Sequence, residues 1–212
     1  MTKYTKIIEE AIKLKKQQKF EEALELLNKI RNEDPNSEEV KKALIKILLD
    51  YGGYLNDEMV LGGYDKAIVY FKKIIDLDPN NYRAWYNLGI AYFNIDNPKL
   101  ALESYKKALE INPDYMYCYY NMGLFFEVVD QDFEKALKYY EKALSYDENF
   151  MYALNARNDV RKKLDLLKMD KSYNLEIDTP STSDTGNLKK CKKCGTLNRD
   201  SAKFCDNCGE KF

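Results

Sequence analysis

The 212 residues contain no histidine at all. The side chain that most often moves protons near neutral pH is therefore missing, and with it every histidine-activated serine or cysteine nucleophile. No GxSxG elbow and no phosphate-loop lysine occurs, and the acidic pairs Glu21-Glu22 and Glu38-Glu39 stand near helix starts, where they complement the helix dipole. No catalytic constellation remains, so the chain is not read as an enzyme. Long apolar runs are missing too. The longest uncharged stretches, such as AWYNLGIAYFNI, reach 12 residues, against the roughly 18–20 that a membrane span needs. The opening MTKYTKIIEEAIKLKK lacks the apolar core and small-residue cleavage site of a secretion signal. These absences give the expectation of a cytoplasmic protein whose thiols stay reduced.

Charge is nearly absent in the sum and uneven in its distribution. The formal net charge is −1. Residues 170–188 carry one basic and four acidic side chains, a balance of −3, whereas residues 189–212 carry seven basic and three acidic, a balance of +4. The larger body before them gives no electrostatic reason to expect nucleic acid.

What is present is a repeat. FEEALELLNKIRNEDPN (20–36), YDKAIVYFKKIIDLDPN (64–80), PKLALESYKKALEINPD (98–114) and FEKALKYYEKALSYDEN (133–149) align without gaps. Ala23, Ala67, Ala101 and Ala136 coincide. Four residues later come Leu27, Phe71, Tyr105 and Tyr140, and three after those Ile30, Ile74, Ala108 and Ala143. The 4–3 spacing marks one face of a helix, and Pro35, Pro79 and Pro113 end it. Each copy is preceded by a second amphipathic segment. Trp85, Leu88, Gly89 and Tyr92 share a face, as do Tyr119, Met122, Gly123 and Phe126, and the glycine lets the paired helix come close. In the earlier copies Ile7, Ala11 and Leu14, then Val40, Ala43, Leu44 and Ile47, stand in those places.

On these residues the chain resembles the tetratricopeptide repeat family, whose W, LG, Y, A, F, A and P pattern is met almost completely between residues 82 and 115. The resemblance implies an all-α solenoid of four helix hairpins over residues 1–169. FMYALNARNDVRKKLDLLKM would close it as a capping helix, with Ala153, Ala156, Val160, Leu164 and Leu167 packed inward and Arg157, Asn158 and Arg161 facing solvent. The Ala-to-Ala step of 44 residues places an insertion in DYGGYLNDEMVLGG (50–63), read as a surface loop or an extended helix end. Residues 170–188, rich in Ser, Thr and Asp, read as a flexible linker.

The first helix of each hairpin lines the concave side of such a solenoid. The partner-binding residues expected there are Lys41, Arg83, Tyr86, Asn87, Ile90, Tyr117, Tyr120, Asn121 and Leu124, with Ile45 and Leu48 beside them. Some relatives grip a peptide's terminal carboxylate with Lys and Asn, then Asn, then Lys and Arg on three successive first helices. Lys41 and Asn87 match two of these, while Ile45, Tyr117 and Asn121 occupy the other places. An extended or helical peptide on an aromatic floor is expected instead. Individual tyrosines of this set could equally pack within the superhelix.

Residues 189–212 are different in kind. Cys191, Cys194, Cys205 and Cys208 give C-x2-C-x10-C-x2-C, each pair followed by glycine. Two residues between thiolates let one turn aim both sulfurs at one ion, and two such turns close a tetrahedral S4 shell that suits one structural Zn²⁺. Two disulfides or an iron tetrathiolate are the other uses of four such thiols. The stretch also resembles the short zinc ribbons marked by CxxCG and FCxxCG, with Phe204 placed to cover the cluster. The fifth cysteine, Cys118, reads as a small core residue. Together these features describe a scaffold or adaptor that holds a protein or peptide in its groove, with the zinc ribbon as an auxiliary contact. The alternative is a transcription or translation accessory factor that touches nucleic acid through the lysines of the ribbon.

Overall fold

The computed structural model describes residues 3–57, 62–178, 188–194, 196–199, 203 and 211. Among them are nine helices: α1 (Thr5–Lys16), α2 (Phe20–Glu33), α3 (Glu38–Asp57), α4 (Gly63–Leu77), α5 (Tyr82–Asn94), α6 (Pro98–Ile111), α7 (Met116–Val128), α8 (Phe133–Leu144) and α9 (Met151–Asp178). A short antiparallel pair follows, β1 (Leu188–Lys190) and β2 (Leu197–Arg199), in the register Leu188↔Arg199, Lys189↔Asn198 and Lys190↔Leu197. The contacts separate two compact units, Met1–Leu164 and Asp165–Phe212. The first is a solenoid of four hairpins, α1/α2 to α7/α8, closed by the start of α9.

The repeat residues do what their spacing requires. Ala23, Ala67, Ala101 and Ala136 are wholly buried, as are Leu27, Phe71 and Tyr140, and Tyr105 is 1% exposed. Between repeats, the Asp or Asn of the D-P-N signature bends the chain with its own side chain. Asp78, Asn112 and Asp147 each accept from the amide two residues on, at 3.2, 3.3 and 3.0 Å. Trp85 Nε1 then donates to the Pro79 carbonyl at 2.9 Å, and Tyr119, one repeat later, donates through its hydroxyl to Pro113 at 2.8 Å. The aromatic ring thus ties α5 and α7 to the turn before each.

Within the hairpins the turn is also fixed by one residue. Gln18, Gly62, Asp96 and Gln131 all have positive φ, at 60°, 71°, 58° and 52°, and each lies five residues before its repeat alanine. In the second hairpin this place is filled by glycine, so Gly62 has a conformational role. The second helices of the last two hairpins then start on side-chain caps: Asn97 Oδ1 accepts from Leu100 N ahead of Pro98, and Asp132 Oδ1 accepts from Lys135 N.

The insertion is an extended helix end. α3 has 20 residues, against 12 in α1 and 13 in α5 and α7. Seven added residues make two helical turns, so the same face continues along the longer helix. The close contact with the partner helix moves with it. A Cβ on Gly52 would stand 2.6 Å from Phe71 Cε1, just as one on Gly89 would stand 2.5 Å from Tyr105 Cε1 and one on Gly123 2.5 Å from Tyr140 Cδ1. The glycine place of the second repeat is Gly52, not the Ala43–Leu44 pair that the sequence spacing suggested. Residues 58–61 of the insertion lie outside the described residues.

At the far end, Ala153 and Val160 are fully buried and Leu164 is half-buried, while Arg161 Nη2 reaches Glu141 Oε1 at 2.6 Å. Glu127 ties three helices together, accepting from the Tyr140 hydroxyl at 2.7 Å and pairing with Lys163 at 2.6 Å. Leu167, expected in the buried stripe, is 45% exposed. α9 also continues to Asp178, nine residues into the stretch expected to be a linker. None of those nine is Gly or Pro, and the first proline is Pro180, so no strong helix breaker stops the helix sooner.

Candidate partner groove and metal knuckle

The inner faces of α3, α5, α7 and the start of α9 form the candidate groove. Its aromatic part is continuous. Tyr82 and Tyr86 lie 4.9 and 5.0 Å from Tyr115, edge to face. Tyr115 lies 5.6 Å from Tyr117, Tyr117 and Tyr120 stand 5.3 and 5.4 Å from Phe150, and Tyr152 is 5.9 Å from Phe150. Tyr117 and Tyr152 are 43% and 69% exposed.

Of the residues expected from sequence, Tyr86, Tyr117 and Tyr120 come together on this floor. Asn121 joins them by donating from Nδ2 to the Tyr86 hydroxyl at 2.8 Å and to the Tyr117 carbonyl at 3.2 Å. Tyr86 and Tyr120 are half-buried and also touch the core rings Tyr105 and Tyr140, so they are partly structural. Ile90 and Leu124 are half-buried against the core beside them. Arg83 is exposed at the edge, with Nε donating to the Tyr82 hydroxyl at 3.2 Å. Arg83 and Asn87 also line an adjoining pocket of about 570 Å³ with Lys42, Ile45, Lys46 and Leu49 of α3.

Lys41 is not part of that pocket. It pairs with Glu38 at 3.4 Å on the same helix. Leu48, expected beside it, is a core residue, 4% exposed. The side of α3 that lines this pocket carries the expected Ile45 together with Lys42, Lys46 and Leu49, which the spacing did not single out. Sequence reading also missed Tyr82, Tyr115, Phe150 and Tyr152. A signal for two of these was present. Asn81 caps α5 by accepting from Ala84 N, and Tyr115 and Phe150 occupy the same place in the next two repeats. Tyr115 makes no side-chain cap, and its ring packs among other rings instead.

Burial acts on the more enclosed phenols. It pushes Tyr115 up to about 12, helped by Tyr82 and opposed by Arg83, and raises Tyr86 and Tyr105 further in the same direction. Cys118 is fully buried, donates its thiol to the Tyr105 carbonyl at 3.3 Å and is likewise pushed up to about 12 by desolvation. An un-ionised thiol of this kind is packing material, neither a nucleophile nor a metal ligand.

In the second unit, Cys191 and Cys194 stand in the turn between β1 and β2. Cys191 is 2% exposed and its amide donates to the Thr196 carbonyl at 2.9 Å, while Cys194 Sγ is hydrogen-bonded to Thr196 Oγ1 at 3.2 Å. Two cysteines spaced this way in one tight turn are the kind of pair that supplies half of a thiolate shell to a thiophilic ion. Cys205 and Cys208 lie outside the described residues.

Comparison with known families agrees with this geometry. Tetratricopeptide repeat profiles match residues 12–37, 82–115 and 117–150, a TPR repeat profile matches 56–96, and a zinc-ribbon domain profile matches 190–212. A comparison with curated proteins finds no match. Among solved structures, the chain is similar to MamA, with 27% identity over 80% of this chain and 86% of that one and a TM-score of 0.60. It is also similar to the first TPR domain of Spaghetti (RPAP3), solved with the HSP90 peptide SRMEEVD, with 28% identity over 57% and 92% and a TM-score of 0.51. An O-GlcNAc transferase mutant from Thermobaculum terrenum shares the fold at 20% identity and a TM-score of 0.52, over 57% of this chain and 22% of that one. Among the described residues no helix is long and apolar enough to cross a membrane. The chain is a tetratricopeptide repeat protein with a C-terminal zinc ribbon.

Proposed function

We propose that the chain is an adaptor that holds a peptide or protein segment on the tyrosine floor of its groove, chiefly through Tyr117, Tyr120 and Tyr152. One observation carries this reading. α7, MYCYYNMGLFFEV, has a single charged residue, Glu127, and no polar face; Glu127 is already engaged by Tyr140 and Lys163. A helix that is apolar all round belongs in an interior, yet only Cys118, Met122, Gly123, Phe125 and Phe126 are buried in the solenoid. The side with Tyr117, Tyr120 and Leu124 faces the groove and calls for a cover. The similar Spaghetti domain, which holds a peptide, supports the same use of the fold.

We further propose that residues 189–212 fold around one Zn²⁺ held by Cys191, Cys194, Cys205 and Cys208, as a module separate from residues 1–169. Four thiolates leave no open coordination position, so the ion supplies folding free energy and no chemistry. The ribbon then acts as a second, weaker contact that raises effective concentration. Thiolate ligands fit a compartment that keeps cysteine reduced, so the proposal includes a cytoplasmic location.

The test is affinity capture from native lysate with the intact chain and with Tyr117→Ala/Tyr152→Ala. Both side chains are exposed, so the variant keeps its helical signal. It is expected to lose proteins that the intact chain captures. An unchanged set of captured proteins would sink the groove reading.

A further inference from the structure

We infer that the pocket between α4, α5 and α6 receives the ring of a tyrosine side chain presented by a partner polypeptide. The pocket has a volume of about 600 Å³ and shares no lining residue with the tyrosine floor. It is therefore a second contact site, separate from the groove.

The solenoid itself shows what fits there. The place three residues after the repeat alanine holds Leu26, Tyr70, Ser104 and Tyr139 in the four hairpins. In the fourth, the Tyr139 ring lies against Phe126 at 5.0 Å and 13°, and against Tyr119 at 6.5 Å and 30°. Tyr119 and Phe126 are seven residues apart, two helical turns or about 11 Å, and one ring bridges them. In the second hairpin, Tyr70 packs against Tyr51 at 4.9 Å. The third hairpin has the same two aromatic walls, Trp85 and Tyr92, again seven residues apart, but a serine where the ring would arise. Trp85, Tyr92 and Ser104 all line the pocket, with Ile75, Leu88 and Leu100 around them. The open space thus corresponds to the place that a tyrosine ring of the chain's own fills one repeat later. A ring brought from outside would cover the same apolar surface.

Ser104 gives that ring a polar end. It is 3% exposed, and its hydroxyl donates to the Leu100 carbonyl at 2.7 Å, which leaves the oxygen's lone pairs as acceptors. A side chain entering from outside arrives tip first. A phenol hydroxyl can then donate to Ser104 Oγ, which phenylalanine and leucine cannot do.

The rim suits a neutral side chain. Lys72, Lys106 and Lys107 are set against Asp76, Glu103 and Glu110, all of them exposed. Lys107 pairs with Glu110, and Lys72 stands over the Tyr92 ring at 5.8 Å. The six charges sum to zero. A strongly charged ligand of either sign meets repulsion from half of them, whereas the peptide dipoles on either side of a tyrosine find partners of both signs.

Trp85 is the chain's single tryptophan, so its indole N–H gives one NMR signal at the pocket. The test titrates the full-length protein with acetyl-Gly-Ser-Tyr-Ser-Gly-amide and with the same peptide carrying Phe, Leu or Glu at the centre. The tyrosine peptide is expected to shift the Trp85 signal and to bind within about twofold equally at low and high salt. It should bind at least about threefold more tightly than each of the other three. Ser104→Tyr, which rebuilds the Tyr139 arrangement inside the pocket, is expected to keep the helical signal and to weaken the tyrosine peptide at least fivefold. Ser104→Ala, which places no ring in the pocket, should abolish the preference for Tyr over Phe. Tyr117→Ala/Tyr152→Ala should bind the peptide as the intact chain does. Tightest binding by the Leu or Glu peptide, full affinity in Ser104→Tyr, or no Trp85 shift with any peptide would overturn the inference and leave the groove reading standing. Loss of the Trp85 shift in Tyr117→Ala/Tyr152→Ala would also overturn it, by placing the peptide in the groove.

Discussion

Two adjacent glycines in α3 should respond in opposite directions to the same substitution. Gly52 and Gly53 share a helix, a sequence context and the same intrinsic gain from alanine, about 1 kcal/mol in a helix interior. Their surroundings differ. A methyl on Gly53 meets nothing within 4 Å, whereas one on Gly52 would stand 2.6 Å from Cε1 and 2.7 Å from Cζ of Phe71. Phe71 is fully buried, so its ring has little room to retreat, and overpacking of this kind costs about 1–3 kcal/mol. Gly53→Ala is therefore expected to stabilise by up to about 1 kcal/mol. Gly52→Ala is expected to lie about 2 kcal/mol below it, once the shared propensity gain cancels. For a solenoid of this size that separates the two melting midpoints by about 4–8 °C, readable by circular dichroism at 222 nm. Equal stabilisation by both would refute the Gly52–Phe71 contact and with it the two-turn extension of α3.

Other outcomes follow from the same geometry. Gln131→Gly should be neutral to stabilising by up to about 1 kcal/mol, because glycine takes the left-handed conformation without steric cost, whereas Gly62→Val at the equivalent place should destabilise in the same melting assay. Tyr115 has a folded pKa near 12 against an ordinary 10, so its stabilising contribution is complete below pH 10 and is lost as pH rises from 10 through 12. An alkaline unfolding curve should therefore shift to higher pH in Tyr115→Phe, and no shift would remove the phenol from the account. Cys205→Ser should lower the zinc content of purified protein from near one equivalent to near zero while leaving the helical signal in place; retained zinc would break the tetrathiolate assignment.

The repeat was legible because its signal is local and redundant. An alanine, an aromatic four residues on and a proline twelve on specify a helix face and its end without reference to any other part of the chain. The capping helix was legible for the same reason, from charges at places that otherwise receive a partner. What escaped was set by geometry between elements. Within DYGGYLNDEMVLGG nothing decides between the surface loop and the extended helix end that the sequence left open, and eight of its residues, 50–57, continue the helix. That emerges only when Gly52 meets Phe71 and Gly62 takes the left-handed turn that Gln18, Asp96 and Gln131 take elsewhere. On α3 only part of the inward face was legible: Ile45 was named, but Val40, Leu44, Ile47, Leu48 and Tyr51 are all buried, and so wide a stripe does not say which edge faces the groove. Tyr115 and Phe150 were overlooked because they stand where a polar cap belongs.

The central claim is that partner affinity resides in the tyrosine floor and not in the ribbon. The direct measurement is the dissociation constant of a captured partner against three proteins: the intact chain, Tyr117→Ala/Tyr152→Ala, and the chain lacking residues 189–212. Central aromatic anchors typically cost about 2 kcal/mol or more when truncated, which is about 30-fold in affinity. The double variant should lose at least that much, and the deletion only a few-fold. Abolition of binding by the deletion, with the double variant binding as the intact chain does, would contradict the account and move the function to the zinc ribbon.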